Sequence, residues 1–453
     1  MAVVATLEHR GAFCSERLHA IQEVRMRKHS ALVLVLGTIL IVNLLAPGCG
    51  RQGRATGKDA GQISGSEGGS SGIPGLGGAG GSPSTVGSSA IGGSAGGSSG
   101  SGGVPKDAGP LPPDPCIAAG TCPIGVWVNV TPSTMPSTDT YGPGSVVRDP
   151  VRPTDLYVAG SDSGLWKSTD YGNTWKNIAT NADVPNAPRG VVFAVAGTTP
   201  ATIWAAGYNE LHKSSDGGAT FTRTPLSVSL YSLQVDPNDP NHLISGLHEA
   251  DGIYESLDGG TTWNSVSGTG FPSGGVSWYP YFINTGNAGT WRTTWFAIAQ
   301  NGASAIMTSD SGAHWHIPTG LSGLNHPHGT AQIFQTGSSL FVGGVGGPGQ
   351  GVYRSTDLGT SWSRVDNGQK PQAVVWGSSK NVYAMYGWAC GSCNIDPNWE
   401  SAPIPGTTWT YGTVPAAVTA GSGPNTVVVT NDGNHEIFVA AMWNTGIWRY
   451  IEP

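Results

Sequence analysis

Two short clusters contain residue types that can catalyse or bind. His248-Glu249-Ala-Asp251 combines an imidazole with two carboxylates, which can supply a general base and a general acid. His326-Pro-His328 places two imidazoles on one side of an extended segment, where they can take a proton or bind a metal. Polar loop residues that bond within local turns are the alternative and are favoured over both functional interpretations, and the His pair has no evident third ligand. The sequence therefore predicts neither a metal nor a cofactor.

Aromatic, amide and further carboxylate residues that could bind or catalyse occur in other polar segments of the chain. Trp388, Trp399 and Trp443 are candidates for stacking on sugar rings, although Trp also fills cores. The candidate catalytic residues are His248, Glu249, Asp251, His326, His328 and Asp396, and the candidate substrate-binding residues are Arg189, Tyr208, Asn209, Tyr279, Trp388, Trp443 and Asn444. The same segments also offer Glu210, Gln300 and Glu400. Aromatic faces and paired carboxylates suit a carbohydrate site, but loops of this length contain some of these residue types by chance.

A repeated eight-residue segment indicates which elements must position these residues. Its pattern is Ser-x-Asp-x-Gly-x-Thr-Trp, and its five copies are centred on Asp170, Asp216, Asp258, Asp310 and Asp357. The Asp residues are 46, 42, 52 and 47 positions apart, which is the length of one four-stranded propeller blade. A sixth, decayed copy keeps Gly406, Thr408 and Trp409 but has Ile404 in place of the Asp.

A second repeat gives the number of blades. Short apolar segments recur seven times, beginning at Leu156, Ile203, Leu243, Trp295, Leu340, Val382 and Ile437. We therefore predict an all-β fold, a single seven-bladed β-propeller of four-stranded blades over residues 116–453. Val126–Val130 resembles the strand that follows each eight-residue segment, and we expect it to complete the last blade and close the ring. A six-bladed ring and an open fan are the alternatives.

The five eight-residue segments resemble the Asp-box, or bacterial neuraminidase repeat, of sialidases, xyloglucan-active glycoside hydrolases, sortilin-type receptors and photosystem assembly factors. This resemblance covers about 340 residues and implies that each segment joins the third and fourth strands of a blade, opposite the ligand pocket. It makes Asp170, Asp216, Asp258, Asp310 and Asp357 structural, because a turn Gly, a carboxylate that accepts N–H groups and a packed Trp stabilise the turn. Function is then expected at the opposite face.

The resembled families narrow the choice of activity. A sialidase-like site requires three converging Arg residues and a Tyr nucleophile, which are not recognisable here, and a xyloglucanase-like site lies between two propellers where this chain has room for one. A glycosidase-like hydrolase is expected before a polysaccharide lyase, in which His326 and Tyr279 would exchange the proton while Arg189 or an amide neutralises the uronate. The alternative is a non-catalytic propeller that binds glycans or docks proteins.

The N-terminal region predicts export. From Met26, an alternative start, the chain has a basic segment, an apolar stretch over Ala31 to Leu45 and a small-residue site before Cys49. This resembles a lipoprotein signal, and it implies lipidation at Cys49 and an outer-membrane or cell-surface location. A soluble secretory signal, giving a periplasmic or secreted protein, and a membrane anchor helix are the alternatives. Residues 1–48 are accordingly the signal region.

Composition defines the remaining segment and the expected partners. Residues 49–115 are mostly Gly, Ser and Ala and bury too little apolar area to fold, so they form a disordered tether with a reach of roughly 40 Å. The net charge of −7 gives no basic footprint for nucleic acid. Two close cysteine pairs, Cys116 with Cys122 and Cys390 with Cys393, suit disulfides in an exported protein; a redox pair or half of a zinc site is the alternative for the second pair. We expect a monomer that meets the membrane only through a lipid and takes a polysaccharide or glycan as its partner.

Overall fold

The computed structural model describes residues 111–136, 143–160, 162–180, 183–184, 193–207, 209–300, 305–321, 323–326, 331–345, 349–368, 370–386, 399–414, 418 and 423–453. These residues form seven antiparallel sheets and two short helices, α1 (Pro115–Ala118) and α2 (Ala288–Trp291). No helix in this part of the chain combines the length and the apolar character of a bilayer-spanning segment. The described ranges confirm the predicted all-β, seven-bladed propeller.

Each sheet is one blade, and its strands follow one another from the centre outward. The first blade contains β2 (Pro143–Arg148), β3 (Leu156–Gly160), β4 (Gly164–Ser168) and β5 (Lys176–Ala179), and the second contains β6 (Phe193–Ala196), β7 (Thr202–Gly207), β8 (Glu210–Ser214) and β9 (Thr222–Arg223). The third contains β10 (Gln234–Asp236), β11 (Asp239–Gly246), β12 (Ile253–Ser256) and β13 (Asn264–Ser265), and the fourth contains β14 (Val276–Phe282), β15 (Trp295–Gln300) and β16 (Ala305–Thr308).

The fifth blade contains β17 (Ile333–Thr336), β18 (Ser339–Gly344), β19 (Gly351–Ser355) and β20 (Ser363–Arg364), and the sixth contains β21 (Val374–Gly377), β22 (Asn381–Met385), β23 (Trp399–Pro403) and β24 (Thr410–Gly412). The seventh joins β25 (Pro424–Asn431), β26 (Glu436–Met442) and β27 (Gly446–Ile451) to β1 (Val128–Asn129). In the fourth blade, the outermost strand is reduced to a bridge between Met307 and His316.

The N-terminal strand closes the ring as predicted. Val128 lies opposite Arg449 and Asn129 opposite Trp448, so β1 supplies the outermost strand of the seventh blade. The pairing extends beyond β1, because the Val130 N–H donates to the Ile447 carbonyl at 2.8 Å. Closure of this kind removes an exposed sheet edge.

The alternation of strands defines two faces. We call the face with the loops between second and third strands, and with the connections between blades, the loop face. The opposite face, which has the turns between first and second and between third and fourth strands, is the turn face. Each eight-residue segment joins a third to a fourth strand, as Ser168 to Trp175 joins β4 to β5. All five copies therefore lie on the turn face.

The eight-residue turns are held by one set of hydrogen bonds. In the first copy, the Ser168 hydroxyl donates to Asp170 Oδ1 at 2.7 Å, and the Thr174 N–H donates to the same oxygen at 2.8 Å. Equivalent bonds recur around Asp216, Asp258, Asp310 and Asp357. The His314 backbone N–H and ring lower the pKa of Asp310 to about 2. Each Asp is thus occupied in its own turn.

Hydrophobic clusters lie between neighbouring blades. The cluster between the fifth and sixth blades contains Phe334, Phe341, Val375 and Val382, and similar clusters fill the other interfaces. At the centre, the Gln332 side chain spans from the fifth to the seventh blade. Its Nε2 donates to the Val427 carbonyl at 2.7 Å, and its Oε1 accepts the Val427 N–H at 2.9 Å. This side chain therefore joins the residue before β17 directly to β25.

A short N-terminal segment docks on the turn face beside the ring closure. Asp114 caps α1 by accepting N–H groups from Cys116 and Ile117, and its carboxylate forms a buried ion pair with Arg449 of β27. Cys116 and Cys122 form a disulfide with a Cα–Cα distance of 5.3 Å. Both sulfurs accept from the Arg449 guanidinium, at 3.2 and 3.3 Å. The chain therefore enters the propeller on the turn face.

Candidate functional site

Four aromatic rings from separate segments meet on the loop face, and we call them the tyrosine–histidine cluster. Tyr231 precedes β10, His248 lies between β11 and β12, Tyr279 lies in β14, and His326 follows the fourth blade. The Tyr231 ring centroid is 5.0 Å from Tyr279, 5.3 Å from His248 and 6.1 Å from His326. The structure thus brings together three residues singled out in the sequence and adds Tyr231, which no motif marked.

The Tyr279 hydroxyl is the chemically notable group of this cluster. Tyr279 is 2% exposed, and its hydroxyl has no hydrogen-bond partner among the described residues. Burial raises the pKa of Tyr279 well above its usual value, and the neighbouring Tyr231 and Tyr281 act in the same direction. The hydroxyl therefore stays protonated and can donate to a ligand oxygen. A buried polar group without a partner costs about 1–3 kcal/mol, which a bound hydroxyl or water would offset.

Ser277 positions His326. The His326 Nε2 lies 3.0 Å from the Ser277 carbonyl, and because a carbonyl only accepts, Nε2 carries the proton and Nδ1 is the unprotonated nitrogen of the neutral ring. Ser277 itself has φ +55°, the left-handed conformation that costs free energy in a residue other than glycine. Its hydroxyl accepts the Glu249 N–H at 3.0 Å, which joins the two neighbouring loops.

The other predicted residues of this region have different surroundings. Glu249 is exposed beside Ser277, whereas Asp251 accepts from Trp278 Nε1 at 3.0 Å and from the Gly274 N–H at 3.3 Å. Asp251 therefore fixes the connection between the third and fourth blades. Asn209 is exposed and exchanges hydrogen bonds with the Ser229 side chain at 3.2 Å.

A pair of carboxyl groups, Asp366 and Glu400, lies at the loop face between the fifth and sixth blades. Asp366 follows β20 and Glu400 lies in β23, and both carboxyl oxygens of Asp366 are buried without a hydrogen-bond partner among the described residues. Burial, followed by the charge of Asp366, raises the pKa of Glu400 to about 7. Burial likewise raises the pKa of Asp366, while its surroundings, including the charge of Arg364, act to lower it. Both carboxyl groups therefore hold a proton more tightly than a solvent-exposed carboxyl group does.

Two further residues shape this carboxyl pair. Gln372, which precedes β21, donates from Nε2 to Glu400 Oε1 at 2.8 Å. Gly351 begins β19 with φ +111°, and a Cβ built on it would lie 2.5 Å from Asp366 Oδ1. Only glycine lets the Asp366 carboxyl group approach this strand. The sequence offered Glu400 among its loop residues but gave no signal for Asp366, because a single acid after a strand has no pattern.

Of the two alternatives for Trp399, stacking on a sugar or filling the core, the structure shows the second. Trp399 is 7% exposed, and its indole stacks on Tyr383 at 5.4 Å with an interplanar angle of 7°, so it fills the core and is not placed to stack on a sugar. Trp443 is half-buried, and its backbone N–H donates to the Gly423 carbonyl at 3.1 Å. Asn444 is exposed, with φ +57°.

Eight of the predicted residues lie outside the described residues. They are Cys49, Arg189, Tyr208, His328, Trp388, Cys390, Cys393 and Asp396. The possible role of each in binding, catalysis, lipidation or disulfide formation stays a prediction.

A third cluster of titratable groups lies at the turn face of the third blade. The His242 ring is fully buried, with Nδ1 3.1 Å from Asp236 Oδ2 and Nε2 2.9 Å from Glu255 Oε1. Burial acts to lower the pKa of His242, but the hydrogen bonds and charges of the two carboxylates outweigh it and raise the pKa. The ring thus lies between two carboxyl groups that favour its charged form, and the contacts stabilise the blade.

Comparison with known sequences points to carbohydrate-active relatives. No protein-family model matches the chain. The chain is 27% identical over 202 residues to a xyloglucanase of Hypocrea jecorina, with 44% of this chain and 23% of that protein covered. It is 25% identical over 280 residues to a xyloglucanase of Paenibacillus sp., with 57% and 21% covered. The chain thus spans less than a quarter of the length of these curated relatives.

Comparison with solved structures agrees on the architecture. The GH74 xyloglucanase from Xanthomonas campestris gives a TM-score of 0.51 at 17% identity, with 71% of this chain and 53% of that chain covered. The GH74 enzyme of Niastella koreensis gives a TM-score of 0.51 at 17% identity, with 68% and 53% covered. Likeness at this identity shows the fold alone, and it agrees with the β-propeller architecture described above.

Proposed function

We propose that this chain is an exported, carbohydrate-directed propeller whose loop face acts on a polysaccharide as a glycoside hydrolase does. Similarity to xyloglucanases supports the substrate class, because it extends over 202 residues in one relative and 280 in another. The chain covers only part of those relatives, so the activity rests on its own residues. The carboxyl pair of Asp366 and Glu400 carries the proposal.

A glycosidase requires one carboxyl group that holds its proton at the working pH and a second that is ionised. The pKa of Glu400, raised to about 7, suits the group that protonates the leaving oxygen. Asp366, whose charge helps to raise the pKa of Glu400 and whose carboxyl oxygens have no hydrogen-bond partner among the described residues, suits the ionised partner. Both groups come from one propeller. The proposed activity therefore needs no second domain to supply the acid.

We also propose that the chain is a propeller of the Asp-box class and a lipoprotein. The recurring hydrogen bonds around the five turn Asp residues support assignment to the Asp-box class of propellers. The segment from Met26 to Cys49 supports a lipoprotein signal and an outer-membrane or cell-surface location. On this proposal, the polysaccharide is encountered outside the cytoplasm.

The test is a screen of the full chain against neutral, uronic and sialylated polysaccharides, with new reducing ends as the readout. We expect reducing ends from a neutral polysaccharide and their loss in Glu400→Gln. Glu436→Gln is the matched control, because Glu436 is also a carboxyl group whose burial raises its pKa but lies on the turn face. Unchanged turnover in Glu400→Gln would contradict the proposed acid.

A lyase is the second candidate, and the contact between Tyr279 and His326 favours it. In a uronate, His326 Nδ1 would remove the proton beside the carboxylate, a C=C bond would form, and the C–O bond to the leaving sugar would break. Tyr279 would return a proton to the leaving oxygen. Ultraviolet absorbance of an unsaturated product in the same screen identifies this reaction. Binding with neither product would identify a recognition module.

A further inference from the structure

A groove opens on the side of the ring where the chain closes it, and we call it the seam groove. Its volume is about 440 Å³, within the range of small-ligand sites. One wall is the strap that follows β1, represented by Thr134. The other is the outer part of the first blade, with Ser163, Trp166, Trp175 and Asn177. The groove is separate from the tyrosine–histidine cluster and from the carboxyl pair.

The strap wall is held firmly in place. Met135 lies between Thr134 and Pro136, the two strap residues that line the groove. It is 7% exposed and packs into the hydrophobic cluster that also contains Trp166 and Trp175. Its N–H donates to the Pro132 carbonyl at 2.9 Å, which tightens the strap into a turn. Because Met135 anchors the strap to the blade, the groove exists without a ligand.

Of the two indoles that line the groove, Trp166 is buried and Trp175 offers an apolar face to an occupant. Trp166 Nε1 donates to Ser163 Oγ at 3.2 Å, and Trp175 Nε1 donates to the Gly172 carbonyl at 3.2 Å. Both indole N–H groups are therefore engaged within the protein. Trp175 is half-buried, so part of its ring surface remains accessible. An accessible indole face packs well against the C–H face of a sugar ring.

The polar lining suits the hydroxyl groups of a sugar. Asn177 Nδ2 donates to the Ser163 carbonyl at 2.9 Å, so its amide is fixed at the groove wall. Thr134 and Thr180 add hydroxyl groups, and the exposed Lys176 adds the one charged side chain. None of the described lining residues is acidic, so this groove has no carboxyl pair for hydrolysis.

We propose that the seam groove is a binding subsite for a neutral oligosaccharide segment, separate from the reacting site. The inference rests on the proposed carbohydrate-directed function and adds a place that grips the polymer without cleaving it. Trp175 provides the stacking face, and Asn177 and Thr134 bond sugar hydroxyls. A long polysaccharide would then be held at the ring seam while another part of it reaches the loop face.

The test uses the full chain with two probes, soluble xyloglucan polymer and cellohexaose, and measures binding by titration calorimetry. We expect Trp175→Ala to weaken binding by about tenfold or more, as loss of a stacking face does. Trp263→Ala is the matched control. Trp263 occupies the same turn position, with Nε1 donating to the Gly260 carbonyl at 3.1 Å, but it lies in the third blade, away from the strap.

A second variant guards against misfolding of Trp175→Ala. Thr134→Trp adds bulk to an exposed strap residue and should block the groove without removing a core contact. We expect it to weaken binding as Trp175→Ala does, with turnover of a short substrate unchanged in both. Wild-type affinity in both variants would overturn the subsite and leave the proposed function standing. A wild-type chain that neither binds nor cleaves any polysaccharide would overturn both.

Discussion

The rings of Tyr279 and His326 meet edge to face, with centroids 4.8 Å apart and an interplanar angle of 89°. Because the Tyr279 hydroxyl has no described partner, Tyr279→Phe removes no described hydrogen bond of the protein. We expect its free energy of unfolding to equal or exceed that of the wild type by up to about 1 kcal/mol. The binding of polysaccharide by Tyr279→Phe should be weaker than that of the wild type. Urea denaturation and the polysaccharide screen measure the two effects.

Tyr281→Phe is the matched control for this prediction. The Tyr281 hydroxyl donates to the Ala331 carbonyl at 2.6 Å in a buried setting. Its removal leaves that carbonyl without this donor and should cost about 1–3 kcal/mol. If Tyr279→Phe proved as destabilising as Tyr281→Phe, the Tyr279 hydroxyl would have to have a partner within the protein.

The carboxyl pair predicts a pH dependence of stability. The folded-state pKa of Glu400, raised to about 7, exceeds its ordinary value of 4.5, so the folded protein holds this proton more tightly than the unfolded chain does. Stability from this group is full below pH about 4.5 and is lost as the pH rises to about 7. Glu400→Gln should flatten that decline. Denaturation midpoints between pH 4 and pH 8 test it, and equal slopes in both proteins would contradict it.

The His242 cluster predicts a loss of stability at higher pH. Asp236 and Glu255 raise the pKa of His242 above its usual value of 6.5 against the opposing effect of burial. The stabilisation is therefore complete below about 6.5, the unfolded pKa, and is lost as the pH rises through the folded value. In His242→Gln this alkaline decline should disappear. Thermal unfolding from pH 6 to pH 9 provides the measurement, and a persistent decline would point to another group.

The ion pair between Asp114 and Arg449 at the ring closure predicts that the free energy of unfolding depends strongly on both residues. Arg449→Met leaves the Asp114 carboxylate buried without its cation, and such a loss costs about 3–5 kcal/mol. Adding Asp114→Leu removes the unpaired charge and should restore part of the stability. A double-mutant cycle from denaturation curves measures the coupling. Additive effects of the two substitutions would show that the pair contributes nothing as a pair.

The sequence predicts the fold well because its repeats are local. Each turn Asp bonds within its own eight-residue segment, so the pattern can be read without knowing the rest of the structure. The ring closure was readable for the same reason, since Val126–Val130 repeats a strand seen elsewhere. The sixth turn keeps the Trp409 Nε1 to Gly406 carbonyl bond at 3.2 Å even without its Asp.

The candidate site was only partly predictable because its contacts are not local. His248, Tyr279 and His326 have conspicuous residue types, but Tyr231 joins them only through the packing of two blades. Asp366 becomes notable only because Glu400 of the next blade faces it and Gly351 leaves room for it. The sequence left Trp399 open between the two alternatives because a stacking Trp and a core Trp have the same sequence signature.

The docking of the N-terminal segment on the turn face has a mechanical consequence. A pull along the chain that precedes Leu111 reaches Asp114 and the disulfide before it reaches β1. The load passes through Arg449 into β27, the strand to which β1 is paired, so the two-residue ladder of β1 is shielded from peeling. Because the tension acts at the turn face, the loop face is directed away from the pull and stays accessible to a binding partner.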